Sequence, residues 1–197
     1  MILSGKSDVR QPGARTEREL VEAAMRGDAN AFSDLAAAAA SRLFAIARLI
    51  LRDEAAAEDA TQDALVVAWR DLSALRDPDR FDAWLHRVLV HTCYRSAQRA
   101  RRRIEVEGQV RPIAETRDPG EQSVLKDEIE RGFARLSVEH RTVLVMHHYL
   151  GYTFPEIAMT LGIPVGTAKS RIHRATAAMR AALTSDHEPS MHRGQVA

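Results

Sequence analysis

The sequence predicts an all-α protein made of two small helical domains joined by a flexible linker. Apolar residues recur at spacings of three or four along most of the chain, which is the period of a helix that packs on one face. Aromatic residues make up only 5% of the 197 residues, and a core of Leu, Val, Ile and Ala suits helices better than sheets. The helical pattern is broken over residues 104–120, where glycines, prolines and acidic residues indicate a linker.

Four helices are expected in the first domain, residues 16–103, which follows a flexible lead over residues 1–15. Asp53 is expected to cap the third helix, and Asp77 with Pro78 to open the fourth. Aspartate is favoured at the N-cap, and the missing N–H of proline costs nothing at the first helical position. The fourth helix is expected to continue to the arginines that end this domain.

Four more helices are expected in the second domain, residues 121–183, which precedes a disordered tail over residues 184–197. Their expected ranges are about 121–135, 138–150, 153–161 and 164–183.

The overall composition points to no partner by itself, because 28 Lys and Arg residues almost cancel 27 Asp and Glu residues. Cys93 is the only cysteine, so an internal disulfide and a cysteine-based zinc site are excluded, and it is expected to pack as a small apolar residue. The segment from Met1 to Arg18 lacks the apolar core of a signal peptide, and no stretch approaches a membrane span. We therefore expect a cytoplasmic protein without membrane insertion.

Residues 153–175 have the pattern of a helix-turn-helix. Thr153 and Glu156 form a capping box in front of a short helix. Gly162 stands where the chain must turn sharply, and the left-handed conformation is cheapest for glycine. Pro164 then opens a second helix with an apolar stripe.

The second helix of this motif carries a polar and basic face opposite its apolar stripe. Four basic residues and no acidic residue occur between positions 164 and 183. The exposed face is formed by Lys169, Ser170, Arg171, His173 and Arg174. A helix that presents such donors in its N-terminal half is suited to the major groove of DNA. The alternative is an ordinary helical hairpin with a solvated basic face.

A second basic surface is expected at the end of the first domain, because six arginines and no acid lie between Leu85 and Arg103. They are Arg87, Arg95, Arg99, Arg101, Arg102 and Arg103. The acids of this domain concentrate upstream, so one surface could attract phosphate and another a basic protein. Cations also favour a helix C-terminus, but that accounts for only one or two arginines.

Other residues give weaker indications. His147 and His148 are adjacent, and adjacent side chains on a helix diverge by about 100°, so no metal site is expected. Trp69 and Trp84 are expected to anchor the core rather than to stack on bases.

Three segments resemble the extracytoplasmic-function (ECF) family of RNA polymerase sigma factors. Residues 57–70 (AEDATQDALVVAWR) are similar to the family's polymerase-binding helix, and residues 81–91 (FDAWLHRVLVH) to its promoter-melting helix. Residues 161–175 (LGIPVGTAKSRIHRA) are similar to its reader of the −35 promoter element. The resemblance covers about residues 16–183. It implies a region-two and a region-four domain that bind core polymerase, recognise the −35 and −10 elements, promote melting and direct initiation.

The resemblance also implies roles for individual residues. The residues that would face the clamp helices of polymerase are Asp59, Gln62 and Asp63. The loop residues that would capture a base flipped out of the −10 element are Leu75, Arg76 and Arg80. The residues that would line the −10 strand are Arg87, His91 and Arg95. In the −35 reader, Thr167 and Arg171 would hold phosphates. The side chains that would reach bases are Lys169, Ser170, His173 and Arg174.

The sequence departs from the family pattern mainly in the −10 reader. His91 stands where the family often has asparagine, and Arg95 where a polar or acidic residue is common. The loop over residues 75–80 lacks the small residues often found there, and Ser137 replaces a frequent proline. We therefore expect a −10 preference that differs from that of the relatives.

The partners implied by the resemblance are core RNA polymerase, through its clamp helices and flap, promoter DNA and an anti-sigma factor. A stand-alone helix-turn-helix regulator is the alternative, but it leaves the acidic helix and the six arginines without a purpose. An enzyme is disfavoured, because no His-Glu pair has ligand spacing and no Gly-rich phosphate loop occurs. No catalytic residue, metal or cofactor is expected.

Overall fold

A computed structural model describes residues 15–107 and 124–184, with side chains described over residues 15–103 and 129–184. Within these ranges the chain is helical, without a strand, and none of the helices is long and apolar enough to span a membrane. Most of the expected lead (1–15), linker (104–120) and tail (184–197) lies outside the described residues.

The described residues form eight α-helices and three short helical turns. The α-helices are α1 (Glu17–Met25), α2 (Ala29–Leu51), α3 (Glu54–Asp71), α4 (Phe81–Glu107), α5 (Val124–Ala134), α6 (Val138–Leu144), α7 (Phe154–Leu161) and α8 (Val165–Thr184). The turns are the 3₁₀ segments Leu72–Ala74 and Pro78–Arg80 and the π-helical segment Val145–Tyr149.

The helices begin close to the residues that the sequence indicates. The Asp53 carboxylate accepts the Ala56 N–H (2.8 Å), which confirms its predicted role as the cap of α3. Asp77 caps the short 3₁₀ turn Pro78–Arg80 instead of α4, which begins three residues later at Phe81. At its other end α4 continues to Glu107, four residues beyond the expected boundary at 103.

The first four helices form a core in which α2 packs against α1, α3 and α4. Its largest fully buried side chains are Val21, Leu43, Ile46, Ile50, Leu72, Leu85, Leu89 and Val90. The buried face of α3 is lined by alanines, which lets its neighbours approach closely. The prediction that Trp69 anchors the core is wrong. Its side chain is 39% exposed and packs on the outside against the Phe32 ring, with the centroids 5.0 Å apart.

The last four helices pack around α8, and a glycine allows α5 to approach it. A Cβ atom added to Gly132 would lie 2.7 Å from the Met179 methyl carbon, which is closer than packed carbon atoms tolerate. Ala168, Ile172 and Ala175 of α8 are buried, as the apolar stripe predicts.

The two halves of the chain share one continuous hydrophobic core. Helix α6 packs against α2 and α4, and α7 packs against α4. Hydrogen bonds to backbone carbonyls also cross between the halves. Arg52 Nη1 donates to the Glu130 carbonyl (2.8 Å), and the Tyr152 hydroxyl donates to the Ala83 carbonyl (2.8 Å). Burial raises the pKa of Tyr152 to about 12, so this hydroxyl keeps its proton.

A buried arginine joins the halves at the centre of the interface. The Arg141 side chain is 4% exposed; its Nε donates to the Ile50 carbonyl (2.7 Å) and its Nη1 to the Leu136 carbonyl (2.7 Å). Ile50 lies in the last turn of α2, where carbonyl groups lack partners within the helix and carry partial negative charge. Burial, together with the charge of Arg52, lowers the pKa of Arg141 to about 10, so the guanidinium remains charged at neutral pH.

Replacing Arg141 should destabilise the whole chain. Arg141→Met leaves the buried Ile50 and Leu136 carbonyls without donors, and hydrogen bonds to a charged group are each worth about 1.5–3 kcal/mol. We expect the free energy of unfolding, measured by urea denaturation, to fall by about 3 kcal/mol or more. The matched control is Arg135→Met, which removes an exposed arginine that donates to the Ala182 carbonyl (3.0 Å) within the second half. Equal losses for the two variants would contradict the role given to Arg141.

The Cys93 thiol should be inert in the folded protein. It is fully buried, and burial raises its pKa to about 12, so little reactive thiolate exists at pH 8. We expect a disulfide reagent such as dithionitrobenzoate to label the native chain only as fast as it unfolds, and to label it at once in 8 M urea. Rapid labelling under native conditions would show that Cys93 is not enclosed.

Candidate nucleic-acid and polymerase interfaces

The helix-turn-helix is formed by α7, a tight turn and α8, as the sequence predicts. The Glu156 carboxylate accepts the Thr153 N–H (2.8 Å), which completes the predicted capping box at the start of α7. Gly162 adopts the left-handed conformation (φ 64°), and the Ile163 N–H bonds back to the Ala158 carbonyl (3.0 Å). The small Ala158 and Ala168 side chains are buried, which allows the two helices to cross closely.

The structure brings four of the expected −35 contacts together on the outer face of α8. Lys169, Ser170, His173 and Arg174 are exposed. The Ser170 hydroxyl donates to the Thr167 carbonyl (3.0 Å), and Arg174 Nε donates to the Ser170 carbonyl (3.3 Å). These side chains lie along the first three turns of the helix, so their polar groups form one surface that a DNA groove can reach.

The other two expected −35 residues, Thr167 and Arg171, are half-buried at the edge of this face. Arg171 lies near Glu139 of α6, and its buried Nη1 has no hydrogen-bond partner in the part of the chain that the structure describes. Burial tends to raise the pKa of the Glu139 carboxyl. The net shift of this pKa is nevertheless downward, because the carboxylate bonds to its own backbone and to Ser137. The charges of Arg101 and Arg171 lower it further. Glu139 also pairs with Arg101 of α4 (3.6 Å), so Arg171 is held next to an ion pair between the halves.

The expected −10 residues of α4 surround one hollow. Arg87, His91 and Arg95 line a space of about 460 Å³, and its opposite wall is formed by Met159 and Thr160 of α7. The hollow therefore lies between the two halves, and the second half covers part of the surface that the −10 strand would use.

The loop in front of α4 presents two of its three expected contacts. Arg76 and Arg80 are exposed, whereas the Leu75 side chain is only 7% exposed and packs in the core. The expectation that Leu75 contacts a flipped base is not compatible with this conformation, because its side chain is directed away from solvent. Leu75 instead anchors the loop, and its apolar character was the sequence signal for that role.

The three residues expected to face polymerase lie on one exposed face of α3. Asp59, Gln62 and Asp63 are all exposed. The structure adds Val66, whose side chain is 67% exposed, and the outward-facing Trp69 described above. Both residues follow the acidic positions at helical spacing, so the pattern Asp59, Gln62, Val66, Trp69 could have identified a mixed acidic and apolar face.

The adjacent histidines do not diverge as expected. The His147 and His148 rings are in edge contact with their centroids 4.8 Å apart, and the segment that carries them is π-helical. His147 Nδ1 bonds to the Tyr152 carbonyl (2.9 Å), and its ring stacks on Phe154. The described residues contain no group of three or more histidine, cysteine or acidic side chains that could hold a metal ion.

Comparisons with known proteins agree with this arrangement. Residues 35–103 match the family model Sigma-70 region 2, and residues 126–179 match Sigma-70, region 4. The ECF RNA polymerase sigma factor SigM of Mycobacterium tuberculosis is 34% identical over 83% of this chain and 82% of its own length. RNA polymerase sigma-H factor of Pseudomonas aeruginosa is 29% identical over 85% of this chain and 93% of its own length.

Two solved structures are similar in fold. CnrH, in complex with the cytosolic domain of CnrY, aligns with a TM-score of 0.55 and 30% identity over 86% of this chain and 98% of its own. The sigma factor RpoE of Bartonella quintana, in complex with the anti-sigma factor NepR, aligns with a TM-score of 0.64 and 23% identity over 79% of this chain and 98% of its own.

This chain matches both sigma regions along most of its length. It also carries a helix-turn-helix with a basic outer face, a basic hollow on α4 and an acidic face on α3. The chain belongs to the ECF family of RNA polymerase sigma factors.

Proposed function

We propose that this cytoplasmic protein docks on core RNA polymerase through α3, reads the −35 element with α8 and holds the melted −10 strand against α4. The observation that carries this function is the pair of basic surfaces on α8 and α4, together with an acidic and apolar face on α3. It works by binding alone, without catalytic residues, metal or cofactor.

In the −35 element, the outer face of α8 supplies the base contacts. Lys169 and Arg174 can donate to guanine edges, whereas Ser170 can bond to a base or to a phosphate. Arg171 reaches a phosphate once it is released from its place beside Glu139. Each phosphate contact displaces counterions, so binding should weaken steeply as salt increases.

In the −10 element, the open hollow on α4 holds the single strand. Flipping a base out of the stack costs a few kcal/mol, which contacts with the displaced strand must offset. Arg87 and Arg95 supply charge for phosphates, and Trp84, which packs against the core as the sequence predicts, forms part of the floor behind them. Arg76 and Arg80 of the preceding loop lie exposed next to this helix.

The packed arrangement of the two halves is incompatible with binding both elements at once. The elements are about 25 base pairs apart, or about 80 Å at about 3.4 Å per base pair. A compact chain of this size is only about 40 Å across. The interface around Arg141 must therefore open when the protein joins polymerase on a promoter, and opening also removes α7 from the −10 hollow.

We further propose that an anti-sigma factor binds an apolar groove where the halves meet. The groove has a volume of about 420 Å³, and its lining includes Leu49 of α2 and Ile129, Phe133 and Met179 of the second half. Tyr149, which also lines it, is 59% exposed. The support for such a partner is that the RpoE relative was solved with an anti-sigma factor. An occupant that contacts both α2 and α5 would keep the halves together.

A stand-alone regulator that reads an operator as a dimer is not favoured. It accounts for α7 and α8 but not for the acidic face of α3 or the basic hollow on α4.

The proposed function predicts that promoter binding depends on polymerase. We expect run-off transcription with purified core polymerase on a genomic fragment library to give discrete start sites only when this protein is added. The free protein should bind the same promoters weakly in a gel shift at physiological salt, because its two readers cannot reach both elements. Absence of any polymerase-dependent start site would reject the proposed function. Tight, specific binding by the free protein would show that the two halves need not separate for promoter binding.

The α3 face predicts a specific loss of polymerase binding. Asp63→Lys and Val66→Asp should each weaken binding of core polymerase about tenfold or more. Asp63→Lys places a positive charge against the basic clamp helices, and Val66→Asp places a charge in an apolar part of the interface. Binding can be measured by fluorescence anisotropy of the labelled chain. The matched control is Asp34→Lys, which makes the same charge change at an exposed position of α2. If Asp34→Lys weakens binding as much as Asp63→Lys, α3 is not the docking face.

A further inference from the structure

A basic hollow beside the DNA-reading helix has no ligand in the account given so far, although His148 and Arg180 in its lining also border the apolar groove proposed for an anti-sigma factor. It lies between the π-helical segment Val145–Tyr149 and α8 and has a volume of about 320 Å³. Its nitrogen-bearing side chains are His147, His148, Lys169, His173 and Arg180. No acidic residue lines it.

Three of the basic side chains around this hollow have no partner among the described residues. In the part of the chain that the structure describes, the side chains of Lys169, His173 and Arg180 make no ion pair or hydrogen bond. Glu156 is the only acid between residues 141 and 184, and its carboxylate is occupied by the Thr153 cap at 2.7 and 2.8 Å. Donors that lack a partner on a basic surface are available to an anion, and hydrogen bonds from a charged donor to a phosphate are strong.

The wall of the hollow opposite α8 is held firmly. His147 is fixed by its bond to the Tyr152 carbonyl and by its stacking on Phe154. The π-helical turn is closed by the bond from the Leu150 N–H to the Val145 carbonyl (3.0 Å), and such turns occur frequently at functional sites. His148, which is exposed in the same turn, is therefore presented to the hollow by a defined backbone.

The position of Arg180 along α8 suits a DNA phosphate. Lys169 and His173 belong both to the outer face of α8 and to the hollow, so the hollow continues the surface that faces DNA. Arg180 lies seven residues after His173, or about 10 Å further along the helix. The major groove is about 8.5 Å deep, so if α8 enters it with the N-terminal end foremost, Arg180 comes to the level of the phosphates.

From these observations we propose that Arg180 and His148 bind a backbone phosphate of the −35 DNA, a contact outside the expected set on the N-terminal half of α8. The proposal rests on the function given above, because it requires α8 to enter the −35 groove. Arg180 supplies a permanent charge with several donors, and His148 supplies an imidazole N–H. Continuity with Lys169 and His173 favours DNA over an acidic protein as the source of the anion.

Neutral phosphate replacements give a direct test. A −35 duplex is first selected by the polymerase holoenzyme from a pool of randomised DNA. Single methylphosphonates, which remove the charge of one phosphate, are then placed along both strands, and holoenzyme binding is measured by anisotropy. We expect methylphosphonates at several phosphate positions to lower the affinity of wild-type holoenzyme. With Arg180→Gln, the methylphosphonate at one of those positions should no longer change the affinity. The slope of log affinity against log salt should fall by about 0.9 in this variant.

Two further variants sharpen the result. His148→Asn should reduce the penalty at the same position as Arg180→Gln, because both side chains line one hollow. Arg26→Gln is the matched control, since it neutralises an exposed arginine on the first half and should change neither the slope nor the pattern of sensitive positions. Thermal unfolding of Arg180→Gln should match that of the wild type, since Arg180 is exposed.

The two levels of the proposal fail differently. If holoenzyme selects no sequence from the pool, the proposed function itself is overturned. If it selects one, but Arg180→Gln keeps the wild-type slope and every wild-type sensitive position, the phosphate contact is overturned and the −35 reader is retained.

Discussion

One buried guanidinium determines how the two halves of this sigma factor are arranged. Arg141 lies where the C-terminal ends of α2 and α5 converge, and it donates to carbonyl groups beyond or near the last turn of each helix. Such carbonyls carry the negative end of the helix dipole and lack partners within their own helix. A single positive side chain therefore bonds to both carbonyls, and the nearby Glu139 carboxylate adds a favourable charge interaction. Because Arg141 belongs to α6, this contact also fixes the position of the helix-turn-helix against α4.

The functional surfaces depend on that arrangement. With Arg141 in place, α7 forms one wall of the −10 hollow, and Arg171 of α8 lies beside Glu139 and Arg101. Each half thus covers part of the surface with which the other would bind DNA. On the proposed function, polymerase and promoter together provide the binding free energy that separates the halves. This requirement gives a physical reason for a sigma factor that recognises promoters well only within the holoenzyme.

The features that the sequence predicts well are those determined by neighbouring residues. The capping box of α7, the left-handed Gly162 and the stripe on α8 depend on side chains within a few positions of each other, so a single sequence is enough to place them. The features it misses depend on distant contacts. Arg141 reads as one more surface cation, and only the approach of Ile50, 91 positions away, makes it the centre of the interface. For the same reason Trp69 is exposed where burial was expected, and Leu75 is buried where exposure was expected. The burial of both side chains is determined by how α3 and the following loop pack.

The π-helical turn is a second example of that limit. The spacing of His147 and His148 predicts rings that diverge, but the extra residue in the turn brings both to the hollow beside α8. No simple periodicity in the sequence indicates a π segment, which here directly follows α6. Of the residues that line this hollow, His148 and Arg180 therefore became candidates for DNA contact only in the folded structure.

The most direct test of this account is the distance between the two halves before and after promoter binding. Spin labels at Ala38→Cys on α2 and Ala134→Cys on α5 would occupy exposed positions, and Cys93 would stay unlabelled because it is buried. Pulsed electron resonance should give one narrow distribution of label-to-label distances for the free protein. In the polymerase–promoter complex the mean distance should be longer by about 20 Å or more, because the two DNA elements are far apart. An unchanged distance in an active complex would contradict the central claim that the Arg141 interface opens.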